Sequence, residues 1–202
     1  MALGVAAVPF TYVAHVLGVV AIVLVFVWNL HFRGGLAWNS DNKALIFNLH
    51  PVLMLTGLIV FGGEVLGIIG IAAAFKNHNE SGIANLYSLH SWLGIGVISL
   101  YGIQWIFGFV VFFYPGGSSE LRRESVPWHV LFGLFVYILA LATSSLGFLE
   151  KLTFLESSGV AKYGSEAFLV NFNAIITILF GTFVVLSAIS QAPPAADDYA
   201  PI

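Results

Sequence analysis

The sequence predicts an all-α fold, a polytopic transmembrane helical bundle with five apparent spans, and three observations carry that prediction. Hydrophobic residues make up 59% of the 202 residues and Asp, Glu, Lys and Arg only 8%, against roughly 25% charged residues in a soluble domain. Too little polar surface remains to cover a globule in water. Five apolar runs each reach the roughly 20 residues that one bilayer crossing needs. Short polar stretches separate them, and short connections make neighbouring helices antiparallel. The brief alternating segments of a membrane β-barrel are missing.

The first run, Val5–Leu30, lacks the charged leader and small-residue cleavage site of a signal peptide, so it is expected to be a retained span. The polar stretch HFRGGLAWNSDNK leads to the second run, Ala44–Phe75. This run carries one charge, Glu64, directly behind Gly62 and Gly63. As one helix it would reach about 48 Å, too long for one comfortable crossing of a core about 30 Å thick and too short for two. The third, fourth and fifth runs are Ile83–Phe113, Val126–Leu149 and Ala167–Ile189. Residues 1–190 thus form one membrane domain, and the Pro/Ala/Asp-rich residues 191–202 are expected to be a disordered tail. Trp28, Trp38, Trp92 and Trp128 lie near run ends, where amphipathic rings suit the membrane interface.

Composition excludes several classes. No basic tract suggests nucleic acid. The absence of cysteine removes disulfides, thiolate metal sites and cysteine nucleophiles. With five crossings, Lys76, Lys151 and Lys162 share one side and Arg33, Lys43, Arg122 and Arg123 the other. Three against four fixes no orientation.

Ionisable residues inside spans are rare and point to function. His50, His90 and His129 each lie near the start of an apolar run. Gly94 and Gly133 follow the last two by four residues, on the same helix face. An imidazole with no side chain one turn later leaves a flat slot that a planar macrocycle could fill, the ring bonding its iron. A bare metal fits less well, for no His-x-x-x-His or Glu-x-x-His pair supplies several ligands. The competing reading is that each histidine is a hydrogen-bonding link between helices. His15 reads as packing, and His31 and His78 as interfacial or loop residues.

HFRGGLAW, IFNLHP, YSLHSWLG, FYPGG, PWHVLFG and GFLEKLTFL, in this order, resemble the cytochrome b561 family in its plant-like branch. The resemblance covers about Thr11 to Ile189. It implies a membrane bundle with two b-type haems, one near each face, each iron held by two histidines. It further implies electron transfer from cytosolic ascorbate to monodehydroascorbate or a ferric chelate across the membrane. By motif, His50 and His90 match one haem's ligands, and His129 matches one ligand of the other. Asn85, Leu86, Tyr87, Ser88 and Glu150 match haem-lining residues. Tyr114 and Arg122 match the ascorbate pocket, and His78 the opposite substrate site. The Arg122–Arg123 pair offers permanent cationic donors for anionic ascorbate, though on its own, balanced by Glu120 and Glu124, it reads as an ordinary solvated loop. The family is known in vacuolar and other endomembranes, also in the plasma membrane, often as a homodimer.

The chain departs from the family around residues 65–70, as if by an internal deletion. The family has six spans; its Lys-rich loop and the start of its third span, with the fourth haem histidine, have no counterpart here. Roughly thirty residues are missing at that join. A single crossing of Ala44–Phe75 is the expectation. A break at Gly62–Gly63 would leave about 12 apolar residues behind it, fewer than the roughly 17 of a span. That path would put His50 and His90 on opposite sides. The alternative is a re-entrant pair of helices, which would keep them together. The functional alternative to ascorbate-dependent electron transfer is an internally deleted isoform or gene model that binds one haem or none and is non-catalytic or regulatory. A small transporter or proton pathway using Glu64 and the histidines is a third reading.

Overall fold

The first helix, α1 (Val8–Phe32), opens with Pro9 in its first turn, where a missing N–H costs nothing. The computed structural model describes residues 5–190, so the tail expected to be disordered lies outside the described residues. Ala14, Gly18, Ala21 and Val25 form a buried small-residue seam on α1. It packs against the last helix, α6 (Ser165–Ser190). A Cβ at Gly18 would stand 3.1 Å from the Phe180 ring, so the two backbones approach closely there. Trp28 was expected at the interface. It is instead 2% exposed and donates from Nε1 to Glu166 Oε1 at 3.0 Å. Its polar tip finds a buried carboxylate rather than headgroups, and Arg33 pairs with the same carboxylate. Trp38, Trp92 and Trp128 are exposed.

The second apolar run does not cross once. Helix α2 (Lys43–Val60) descends, the chain turns at Phe61–Gly63, and α3 (Glu64–Ser81) returns beside it. Gly62 has φ +62°, which glycine adopts without penalty. The Gly63 N–H closes the turn onto Gly57 O at 2.7 Å. Gly67, Gly70 and Ala73 are buried along α3, and a Cβ at Gly70 would stand 3.2 Å from Leu53 Cβ. Small residues thus let the hairpin zip closely. Its mouth is fastened by polar groups: Lys43 Nζ donates to Glu80 at 2.8 Å, Lys76 pairs with Glu80, and Asn77 Nδ2 donates to Lys43 O at 2.8 Å.

The single crossing expected from apolar length is therefore corrected. The helix behind the break has 18 residues, because it continues through the polar KNHNES, which stays helical above the apolar segment. Nor does the hairpin need a full membrane depth. The Tyr101 hydroxyl donates to Gly62 O, and Tyr101 is the middle residue of the 25-residue α4 (Leu89–Phe113). The turn thus lies halfway along a full span.

A Ser88–Ser91 capping box starts α4. Helix α5 (Ser119–Ser157) has 39 residues, a rise of about 58 Å, so it projects beyond the bilayer. Ser118 caps it, accepting from Leu121 N. Five helices are long and apolar enough to cross a membrane: α1, α2, α4, α5 and α6. Val16, Val23, Ile103, Leu131, Phe135 and Ile175 are all more than half exposed, as lipid-facing residues are. The bundle is all-α, with no strand among the described residues, and the protein is an integral, multi-pass membrane protein.

The path sorts the ends. The hairpin mouth, the start of α4, the end of α5 and the start of α6 share one end, here called the mouth end. The α4–α5 connection, with Tyr114 and Arg122, lies at the other.

Candidate functional site

Between α2, α3, α4 and α5 at the mouth end lies a cavity of about 410 Å³. His50 and His90 both line it, on helices that descend side by side. Their ring centroids are 5.9 Å apart and the planes are nearly perpendicular, at 84°. His50 Nδ1 donates to Gly70 O at 3.0 Å, and His90 Nδ1 to Thr143 O at 2.9 Å. A carbonyl can only accept, so each Nδ1 carries the proton and each Nε2 keeps its lone pair. Metal-bound imidazoles are oriented in this way, by a hydrogen bond from the nitrogen that does not ligate.

A b-type haem fits this donor set. The two Nε2 atoms would hold the iron between them, and the iron would supply one-electron chemistry there. The cavity walls supply an apolar slot: Phe47, Met54, Leu58 and Phe148 line it, as does Gly94. Gly94, expected to leave a slot beside His90, lines the cavity, with Thr143 Cγ2 3.9 Å from where its Cβ would stand; the residue packed on that imidazole is Gly147. A Cβ there would stand 2.7 Å from His90 Cε1.

Asn85, Leu86, Tyr87, Ser88, Glu150 and His78 all line this cavity as well. The Ser88 hydroxyl donates to Glu150 Oε2 at 3.2 Å, tying the α4 N-cap to α5. Leu86 holds φ +54°, an uncommon conformation for a side chain branched at Cγ, at the rim of the cavity. Tyr87 lies against His78, centroids 6.2 Å apart. Burial, reinforced by the Glu150 carboxylate, raises the Tyr87 pKa, so its phenol stays a donor at neutral pH.

His129, Tyr114 and Arg122 are not part of this cavity. His129 packs between Phe107 (5.9 Å) and Phe112 (5.4 Å), against Gly108. Its Nδ1 is buried with no hydrogen-bond partner, so nothing fixes its tautomer. No other histidine ring lies against it. Gly108 is about 10 Å further along α4 than Tyr101, so the hairpin turn ends above His129. Gly133, expected beside a macrocycle, faces open space. Tyr114 is 70% exposed, and Arg122 Nε donates to Gly117 O at 3.0 Å. His15, expected as packing, is exposed on α1 and donates to Thr11 O of its own helix. His31 is exposed and lies edge-on to Phe32.

Sequence reasoning missed Gly70, Thr143 and Gly147. One signal was present: Thr143 and Gly147 are spaced i,i+4 in TSSLG, a small-residue face where a neighbouring helix approaches closely.

Two facing imidazoles, both with Nε2 free, in an apolar cavity of a helical membrane protein are a donor set that suits a b-type cytochrome. The model of the family described as eukaryotic cytochrome b561 matches residues 63–155. The chain is 59% identical over 231 aligned positions to a probable ascorbate-specific transmembrane electron transporter 1 of Oryza sativa subsp. japonica, covering all of this chain and 99% of that protein. It is 58% identical to transmembrane ascorbate ferrireductase 1 of Arabidopsis thaliana, over 95% and 92% of the two chains. A transmembrane ascorbate-dependent reductase of Bos taurus is 34% identical, over 90% and 82%. The chain belongs to the cytochrome b561 family, and that family implies haem b. The rice alignment spans 231 positions against 202 residues here, so at least 29 positions of that relative face a gap. The family match begins at Gly63, directly behind the hairpin turn.

Proposed function

We propose that this protein is an ascorbate-dependent transmembrane oxidoreductase whose complete haem site is the His50–His90 cavity. One observation carries the reading: two facing imidazoles, each held by a backbone carbonyl in the tautomer that frees Nε2 for iron. Haem iron held by two imidazoles has no open position and supplies one-electron transfer rather than oxygen chemistry. The chain's own residues do the rest. Gly70 and Thr143 carbonyls orient the rings, Gly147 leaves room for the His90 imidazole, and Gly94 adds no side chain to the cavity wall. Asn85, Leu86, Tyr87, Ser88 and Glu150 close the rim. His78 and Tyr87 face the water at that end, where monodehydroascorbate or a ferric chelate would take the electron. Tyr114 and Arg122 would meet ascorbate at the opposite end. The resemblance extends the reading to a vacuolar or other endomembrane, with the plasma membrane next, and to a homodimer.

The unpartnered His129 favours a second reading, a form that binds a single haem. Purified protein decides between them by haem-to-protein ratio and by the Soret response to ascorbate. A ratio near two with full reduction supports transfer across the membrane. A ratio near one supports the single-haem form. No Soret band that shifts with ascorbate overturns the proposal.

A further inference from the structure

Lys151 has no part in the site as drawn so far. It follows Glu150 on α5 and lines the same cavity. Its Nζ stands 4.0 Å from the centroid of the Phe47 ring, and that ring lies 5.8 Å from the His50 ring. The ammonium is therefore no further from the His50 imidazole than those two distances together. No carboxylate or carbonyl among the described residues bonds it. The neighbouring cations are paired elsewhere, and the Glu150 carboxylate, still charged, makes no ion pair with Lys151 among the described residues. Lys43, the other cavity cation, is held by Glu80 and Ser40 O. Arg33 is paired with Glu166. The Glu150 carboxylate accepts from Ser88.

An ammonium drawn out of water without a counter-charge is costly, and the face of Phe47 offsets only part of that cost. Only seven of the 202 residues are Lys or Arg, yet one is spent against a ring face at the wall of an apolar cavity. The cavity's intended occupant therefore carries negative charge at this edge. We propose that Lys151 is a binding residue for the carboxylate edge of the porphyrin held by His50 and His90. This deepens the haem reading and rests on it. A cation at that edge also favours the reduced, more negative state of the group over the oxidised one, so Lys151 sets its potential upward.

The test is spectroelectrochemical titration of the purified protein without ascorbate, in wild type, Lys151→Met, Lys151→Gln and Lys151→Arg. Methionine keeps length and volume and removes the charge; thermal melting confirms which variants are folded. The expected result is a low-spin bis-imidazole spectrum in every folded variant. The reduction equilibrium constant should fall about tenfold in Lys151→Met and Lys151→Gln, 59 mV for a one-electron couple. It should return in Lys151→Arg. An unchanged potential in both neutral variants overturns the proposal, as does a change confined to the ascorbate KM, which would assign the ammonium to a free anion. The underlying haem reading fails separately: His90→Ala retaining the wild-type low-spin spectrum refutes the ligand pair, whatever Lys151 does.

Discussion

Replacing Gly147 with alanine tests the helix contact that seats the His90 imidazole. The added Cβ would stand 2.7 Å from His90 Cε1 and 3.1 Å from Nδ1. Non-bonded carbons prefer about 3.5–4.0 Å, so the ring or the helix pair must give by about an ångström. The ring cannot swing aside without breaking its 2.9 Å bond to Thr143 O. Overpacking of this kind costs about 1–3 kcal/mol. Where that cost falls on the haem-bound geometry, the dissociation constant rises about fivefold to just over a hundredfold, at about 1.4 kcal/mol per decade. Alanine itself favours a helix over glycine by about 0.8–1.0 kcal/mol, so a control is needed. Gly96→Ala serves, because a Cβ there meets nothing within 4 Å. Haem titration of the apoprotein by Soret absorbance reads affinity, and a circular-dichroism melt reads folding. Gly147→Ala should bind haem more weakly while Gly96→Ala does not. Wild-type affinity and an unaltered low-spin spectrum in Gly147→Ala would refute the assignment of His90 as an axial ligand seated by this helix contact.

Three further outcomes follow from the fold. The chain has no cysteine, so single cysteines report topology cleanly. Asp41→Cys, Asn79→Cys and Tyr163→Cys should react with an impermeant maleimide from one side, Glu120→Cys from the other, and Phe61→Cys from neither; Asp41 and Asn79 on opposite sides would mean that the run crosses once. Glu166→Ala should destabilise the protein by about 3–5 kcal/mol, because it strands Arg33 and leaves the Trp28 N–H unpaired in a buried site; thermal melting in detergent reads this, and a loss under 1 kcal/mol contradicts it. Hydrogen bonds from Lys43 and then Lys76 lower the Glu80 pKa from its usual value of 4.5. Its contribution is therefore complete above the ordinary carboxylate range and lost as pH falls through the depressed value. Amide protection factors at the α2–α3 mouth, corrected for the intrinsic pH dependence of exchange, should fall on acidification below pH 4.5, and Glu80→Gln should abolish that fall.

Composition and run length made the bundle legible because lipid demands long, uncharged helices whatever their partners. The histidines at run starts were legible for a related reason: an ionisable group at membrane depth stands out against its neighbours. What holds them was not legible. The Gly70 and Thr143 carbonyls are backbone groups with no side-chain signature, and Gly147 matters only because α4 happens to pack there. Trp28 misled because an amphipathic ring suits an interface and a buried carboxylate equally, and Glu166 lies 138 residues away. The path of Ala44–Phe75 misled for a different reason. Apolar length was counted, yet α3 gains its last turns from Lys76–Ser81, whose polar groups are bonded to Lys43 at the mouth.

The hairpin has His50, Gly70, Asn77 and His78 towards its mouth, and its turn stands at the middle of α4 rather than at its end. The mouth-end cavity is lined by both His50 and His90, whereas His129 at the opposite end packs against Phe107 and Phe112. The same geometry redistributes charge: Arg33, Lys43, Lys76, Lys151 and Lys162 gather at the mouth end, leaving Arg122 and Arg123 at the other. From the level of His90 to that of Gly108 is 18 residues along α4, about 27 Å. An electron donated beside Arg122 must cover that depth to reach the His50–His90 site. With the mouth-end cavity alone occupied, the protein exchanges electrons at one face. The haem-to-protein ratio and the side from which ascorbate reduces the Soret band thus answer one question between them.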